Sequence, residues 1–97
     1  MIQSFKDQGT EDIFNGVKSR SARNTCPEAL REIAARKLDL LDSAESIRDL
    51  QIPPGNRLER LSGRRQGQHS IRINDQYRIC IIWSANGPGQ VTIVDYH

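Results

Sequence analysis

The sequence predicts an α+β fold, with two N-terminal helices packed on a mainly antiparallel sheet of four to five strands. Three observations predict it. Leu30, Ile33, Ala34, Leu38 and Leu41 recur at helical spacing. Ile52-Pro53-Pro54-Gly55-Asn56 then interrupts the chain, because two prolines and a glycine forbid both helix and central strand. Beyond that break, short apolar runs are separated by short polar turns, the pattern of an antiparallel meander. The 97 residues make a single small domain, 1–97.

Taken in order, residues 2–5 read as a short strand. Glu11, Asp12, Ile13, Phe14 and Val17 suggest a first short helix capped by Thr10. Residues 18–24 are polar and basic and read as a connection. Thr25-Cys26-Pro27-Glu28 fits a capping box that opens the long helix, with proline in the first turn where its missing N–H costs little. Lys37 lies near the edge of the apolar stripe, where a long stem can snorkel. Helicity fades around residues 42–49. After the break, residues 57–61 are a short strand, 62–67 a loop, 69–74 a strand, Asp75-Gln76 a tight turn and 77–83 another strand. Residues 86–89 turn the chain into a last apolar strand, 91–94, that runs into Asp95-Tyr96-His97.

Alternation assigns faces. His69, Ile71 and Ile73 point one way, and Ser70, Arg72 and Asn74 the other. Tyr77, Ile79, Ile81 and Trp83 share a face opposite Arg78, Cys80 and Ile82. With the isoleucines against the helices, Leu30, Ile33, Leu41, Ile71, Ile79, Ile81 and Trp83 form the core. Arg72 and Arg78 then meet on the outer face across the Asp75-Gln76 turn. Two like charges side by side call either for an anion between them or for solvent around each on an open face. In the last strand Val91, Ile93, Asp95 and His97 share one face, and Thr92, Val94 and Tyr96 the other. A straight strand therefore cannot bring Tyr96 and His97 to one site, and a bulge or bend is required.

Composition narrows the function. Net charge is +2, with 36% hydrophobic and 27% charged residues. Residues 1–50 carry 8 Lys/Arg against 9 Asp/Glu, whereas residues 51–97 carry 6 Arg, no Lys and 3 Asp/Glu. Arginine's planar fork matches phosphate, so the second half suggests one anion-binding surface. Two cysteines, Cys26 and Cys80, are too few for a disulfide framework, and neither forms a metal-type pair. No metal and no cofactor are expected. The chain lacks an apolar run near the ~20 residues that span a bilayer. Residues 1–5 lack the regions of a signal peptide. A cytoplasmic protein with no membrane partner is expected. Histidine is the side chain suited to moving protons near neutrality, which makes His97 the first candidate for acid–base chemistry.

Several segments together resemble the HigB toxins of bacterial toxin–antitoxin systems, within the RelE superfamily. They are Pro53-Pro54-Gly55-Asn56-Arg57-Leu58-Glu59, Leu61-Ser62-Gly63, the run from Gly67-Gln68-His69-Ser70 through Asp75-Gln76-Tyr77-Arg78-Ile79-Cys80, and Val94-Asp95-Tyr96-His97. Ile2-Gln3-Ser4-Phe5 and the stretch 36–44 are also similar, so the match covers most of the chain in family order. The resemblance implies a RelE-like fold and ribosome-dependent cleavage of messenger RNA. It implies neutralisation by a HigA-type helix-turn-helix antitoxin, and contact with operator DNA only through that antitoxin. Carried over residue by residue, it implies that His97 moves the proton, that Arg78 stabilises the phosphate, that Asp95 holds the imidazole or RNA groups, and that Tyr96 stacks on a base or donates a hydrogen bond. Glu59 stands where some relatives carry a histidine and is the candidate base. Arg57, Arg64, Arg65, Arg72 and Asn74 are the candidate RNA contacts, Asn74 in place of a basic residue of some relatives. The substitution at Glu59 keeps open an alternative, a non-catalytic RNA- or protein-binding module on the same fold.

Overall fold

The computed structural model of the chain describes residues 1–96. Three α-helices precede the sheet: α1 Gln8–Asn15, α2 Arg20–Thr25 and α3 Glu28–Ser43. The extra helix, α2, lies where a polar connection was expected. Ser19 caps it by accepting from the Ala22 N–H at 3.0 Å, and its hydroxyl donates to Asp12 at 2.5 Å. Six residues with a single buried apolar side chain, Ala22, carry no periodic signal. At Gly9 a Cβ would come within 1.8 Å of Thr25 Oγ1, so glycine there lets α2 lie close against α1.

Both expected helix caps are replaced. Asp7, not Thr10, caps α1, its carboxylate accepting from the Thr10 N–H at 2.7 Å. Thr10 is instead fully buried, and its hydroxyl accepts from the Ile93 N–H at 3.0 Å. The capping box at residues 25–28 does not form, because Thr25 still belongs to α2 and Pro27 caps α3 with no side-chain bond.

The stripe of α3 buries Ala34, Leu38 and Leu41, with Leu30 and Ile33 half-buried at its margin. Between Ser43 and the sheet the chain makes two 3₁₀ turns, Ile47–Gln51 and Pro54–Asn56. Asn56 fastens them. Its Nδ2 donates to the carbonyls of Leu50 and Ile52, both at 3.2 Å, and its Oδ1 accepts from Lys37 Nζ.

The sheet is antiparallel in the order β1-β2-β3-β4, with β1 Glu59–Arg60, β2 His69–Arg72, β3 Tyr77–Ser84 and β4 Gly87–Asp95. β1 is shorter than the expected strand 57–61. The expected N-terminal strand is an extended segment running parallel to the free edge of β4. It forms a Phe5–Val91 bridge, and the Val91 N–H donates to the Ser4 carbonyl at 3.1 Å. Thr10 and Asp7 occupy that edge further along, Asp7 accepting from the Thr92 hydroxyl. Exposed β edges invite pairing with other chains, and this one is covered.

Ile71 pairs with Ile79 and Ile79 with Ile93, one inner row of the core against the helices. Leu41, Ile71, Ile79 and Ile81 are buried as expected, while Leu30, Ile33 and Trp83 pack at the rim. The register slips by one residue between Cys80 and Ile82, opposite Gln90, whose φ of 49° is left-handed. From Val91 to Asp95 alternation is then regular, so this irregularity lies early in β4, and the bend required to bring His97 to the side of Tyr96 falls outside the described residues.

Candidate functional site

The outer row of the sheet next to the Asn74–Gln76 turn pairs Arg72 with Arg78 and Arg78 with Val94. The two arginines therefore meet, as alternation predicts, but they are not on an open face. Arg78 is only 8% exposed. Its Nε donates to Ser70 Oγ at 2.7 Å, and its Nη2 donates to the Arg57 carbonyl at 2.6 Å and, more weakly, to the Ser70 carbonyl at 3.5 Å. Of the two alternatives, solvent around each arginine on an open face fails at Arg78. The long-range reason is that the segment before β1 returns over the sheet and offers a backbone carbonyl. Arg57 is held there at φ 47°, a left-handed conformation uncommon for a side-chain-bearing residue.

Tyr96 continues the strand, its N–H donating to the Gln76 carbonyl at 2.6 Å. Its ring centroid lies 5.9 Å from Arg78 Cζ, within cation–π range. Glu59 Oε1 is 3.9 Å from Arg78 Nη2, at the limit of an ion pair, with its side chain half in solvent. Arg72 donates to Asp75 at 2.6 Å. That bond, and the charges of Arg72 and Arg57, hold the Asp75 carboxyl below its ordinary range. Arg57, Arg72, Arg78, Glu59 and Tyr96 are thus gathered at one end of the outer face.

The remaining candidates fall elsewhere. Asp95 pairs with Tyr77 and so lies on the other side of β4 from Arg78, where its Oδ2 accepts from Gln76 Nε2 at 3.0 Å. Asn74 Oδ1 accepts from the N–H groups of Gln76 and Tyr77, at 2.9 and 2.7 Å, and so closes the turn. Arg64 is exposed on the 3₁₀ turn Gly63–Arg65, and no bond ties it to the cluster among the described residues. Arg65, on the same turn, is half-buried and acts with Arg78 and Lys6 on Cys80. Burial pushes the Cys80 thiol up, and these three cations oppose that shift. His97 lies outside the described residues.

Sequence reading missed three participants. Ser70 orients Arg78 and is fully buried. Its only signal was its place beside Arg72 on the outward face. Gln76, read as a turn residue, holds both the Tyr96 backbone and Asp95. Lys6 follows the Phe5–Val91 bridge, and its N–H donates to the Val91 carbonyl at 2.9 Å. Among the described residues, no three His, Cys, Asp or Glu side chains are grouped to hold a metal ion. No helix among them is long and apolar enough to cross a membrane.

Comparison with known proteins matches residues 3–97 to the family described as the RelE-like toxin of type II toxin-antitoxin system HigB. Toxin HigB-1 of Vibrio cholerae serotype O1 is 38% identical over 97 residues, which cover 100% of this chain and 98% of that protein. An uncharacterised protein of Haemophilus influenzae is 44% identical over 81 residues, covering 84% and 75% of the two chains. Among solved structures, a chain of the YoeB-YefM complex from Staphylococcus aureus superposes with a TM-score of 0.62. That match covers 100% of this chain and 95% of the other at 18% identity, a likeness of fold.

Proposed function

We propose, for a chain that belongs to the RelE-like HigB toxins of type II toxin–antitoxin systems, that it is an endoribonuclease that cuts messenger RNA on the ribosome. The observation that carries the proposal is the gathering of Arg57, Arg72 and Arg78 with the Tyr96 ring at the end of the strand that leads into His97. Backbone cleavage of RNA needs the 2′-OH to lose a proton, the scissile phosphate to be stabilised, and the leaving 5′-oxygen to gain a proton. A proton carrier contributes typically ~10²–10⁴-fold. Fixed positive charge on the phosphate is often the larger contribution.

Arg78 suits the phosphate. Its Nε and Nη2 are engaged by Ser70 and Arg57, which fixes the guanidinium plane before substrate arrives. A phosphate is then met by the guanidinium beside the Tyr96 ring, where it competes with Glu59, 3.9 Å from Nη2. Arg72 and Arg57 take the neighbouring backbone charges. His97 carries the proton, and Asp95 with Gln76 sets the direction of the strand end. The proposed partners are the ribosome with its message and a HigA-type antitoxin, in the cytoplasm.

The test is a translation reaction with and without ribosomes, in which cut sites on the message are mapped for wild type, His97→Ala and Arg78→Ala. Cuts that require ribosomes and vanish in both variants are expected. Ribosome binding without cuts in the wild type would leave a binding module instead. Full activity in His97→Ala would remove the proton-transfer role.

A further inference from the structure

A groove of about 420 Å³ runs between the end of α1 and the first turns of α3. Ile13, Val17 and Ala35 give it an apolar floor, and Lys18 and Arg31 line it beside Glu28 and Glu32. Two features there are incomplete. Val17 leaves 49% of its surface in solvent. Arg31 Nε is buried and has no hydrogen-bond acceptor among the described residues. Buried donors are nearly always paired, so an orphan beside an open apolar groove asks for an acceptor from outside.

Val17 is not on a loose tail. Gly16 ends α1 at φ 74°, and the Val17 N–H donates to the Asp12 carbonyl at 2.8 Å. Its side chain is therefore presented on fixed backbone, which lowers the ordering cost of docking. From Glu28 to Ala35 the groove follows α3 for about 10 Å, the length of two helical turns. An amphipathic helix laid in a groove of this kind anchors through residues on one face. Phosphate is a poor fit, because Glu28 and Glu32 repel it and the floor is apolar.

We propose that this groove is the docking site for a helical segment of the protein that neutralises the chain. The segment presents an apolar side chain to Val17 and Ala35 and an uncharged oxygen acceptor, which Glu28 and Glu32 do not repel, to Arg31 Nε. The proposal rests on the toxin reading for the existence of that partner. The groove lies in the helix layer, whereas the arginine cluster lies on the outer face of the sheet, so docking and cleavage are separable by mutation.

Val17→Asp places a carboxylate on the apolar floor at an exposed position, and Arg31→Ala removes the donor. Each variant is expressed alone and with a HigA-type antitoxin, and affinity for the purified antitoxin is measured by calorimetry. Alone, both variants should arrest growth and unfold at the wild-type temperature. Val17→Asp should bind about tenfold or more weakly and escape neutralisation, with a smaller loss for Arg31→Ala. Neutralisation of Val17→Asp at the wild-type level overturns the assignment. Loss of ribosome binding with antitoxin binding intact also overturns it, and makes the groove an RNA face. A wild-type chain that neither arrests growth nor binds the antitoxin removes the occupant, and fails the toxin reading separately.

Discussion

On the inner face of β3, Ile79 and Ile81 are at most 1% exposed, packed among Ile71, Ile93 and the apolar side of α3. On the outer face of the same strand, Arg78 and Cys80 are 8% and 0% exposed. The inner residues are enclosed because apolar surface leaves water at roughly 25 cal/mol per Å². Arg78 is enclosed because Ser70 and the Arg57 carbonyl replace its hydration. A buried charge without such partners would be strongly unfavourable. The apolar face tolerates exchange of shape within limits, whereas the polar face depends on each bond being present. That is the arrangement expected where one guanidinium must point in one direction.

The largest effect should come from the inner face. Ile79→Ala should cost about 2–5 kcal/mol in urea unfolding, while cleavage per folded molecule stays unchanged. A fall in specific activity as large as the fall in stability would show that the two faces are not independent. Arg78→Ala should cost about 1–3 kcal/mol, because Ser70 Oγ and the Arg57 carbonyl lose their donor. Under the proposed mechanism it should also lower cleavage by about 10²–10³-fold. Arg78→Lys sharpens the point. It keeps the charge but not the fork, and should remain inactive. Wild-type cleavage by Arg78→Lys would mean that charge alone suffices.

Ser70→Ala removes one orienting bond and should cost about 1 kcal/mol. It should lower kcat more than it raises KM if orientation matters in the transition state.

The smallest effects are in pH dependence, and they also divide by face. His69, on the inner face, is held below its ordinary value of 6.5 by burial and then by Arg60. Its folded pKa is depressed, so stability is present above 6.5 and is lost as pH falls from there through the folded value. Asp75, at the exposed end of the outer face, is depressed by its bond to Arg72. Its contribution is present above the ordinary carboxylate value of 3.8 and is lost as pH falls through the lower, folded value. Acid unfolding curves of wild type against Asp75→Asn should differ only weakly, and salt should erase the difference. A difference that survives high salt would mean that the Arg72–Asp75 pair is less exposed than its 99% open carboxylate indicates.

Much of the candidate site was legible because its key pairing is local. Arg72 and Arg78 flank a tight turn, so antiparallel register alone sets them opposite one another. Alternation likewise placed Tyr96 on the same side as Arg78, and Asp95 on the other. The placement of Arg57 was not legible, because its role is played by a backbone carbonyl 21 residues from Arg78. Nor was α2, which is held by Ser19 and Asp12 and by the close approach at Gly9, not by an apolar stripe.

By itself the sequence determined the helix of α3, the break at the prolines, the meander and the inward row of isoleucines. Each of these rests on periodicity within one element or across one short turn. Only the tertiary structure decided that Arg78 is buried, that Thr10 meets Ile93 at the free edge of β4 across 83 residues, and that a groove stays open beside Val17. The physical reason is that a side chain's period reports which face of its own element it occupies. What covers that face is set by how distant segments satisfy one another's hydrogen bonds and volume, and no local pattern carries that information.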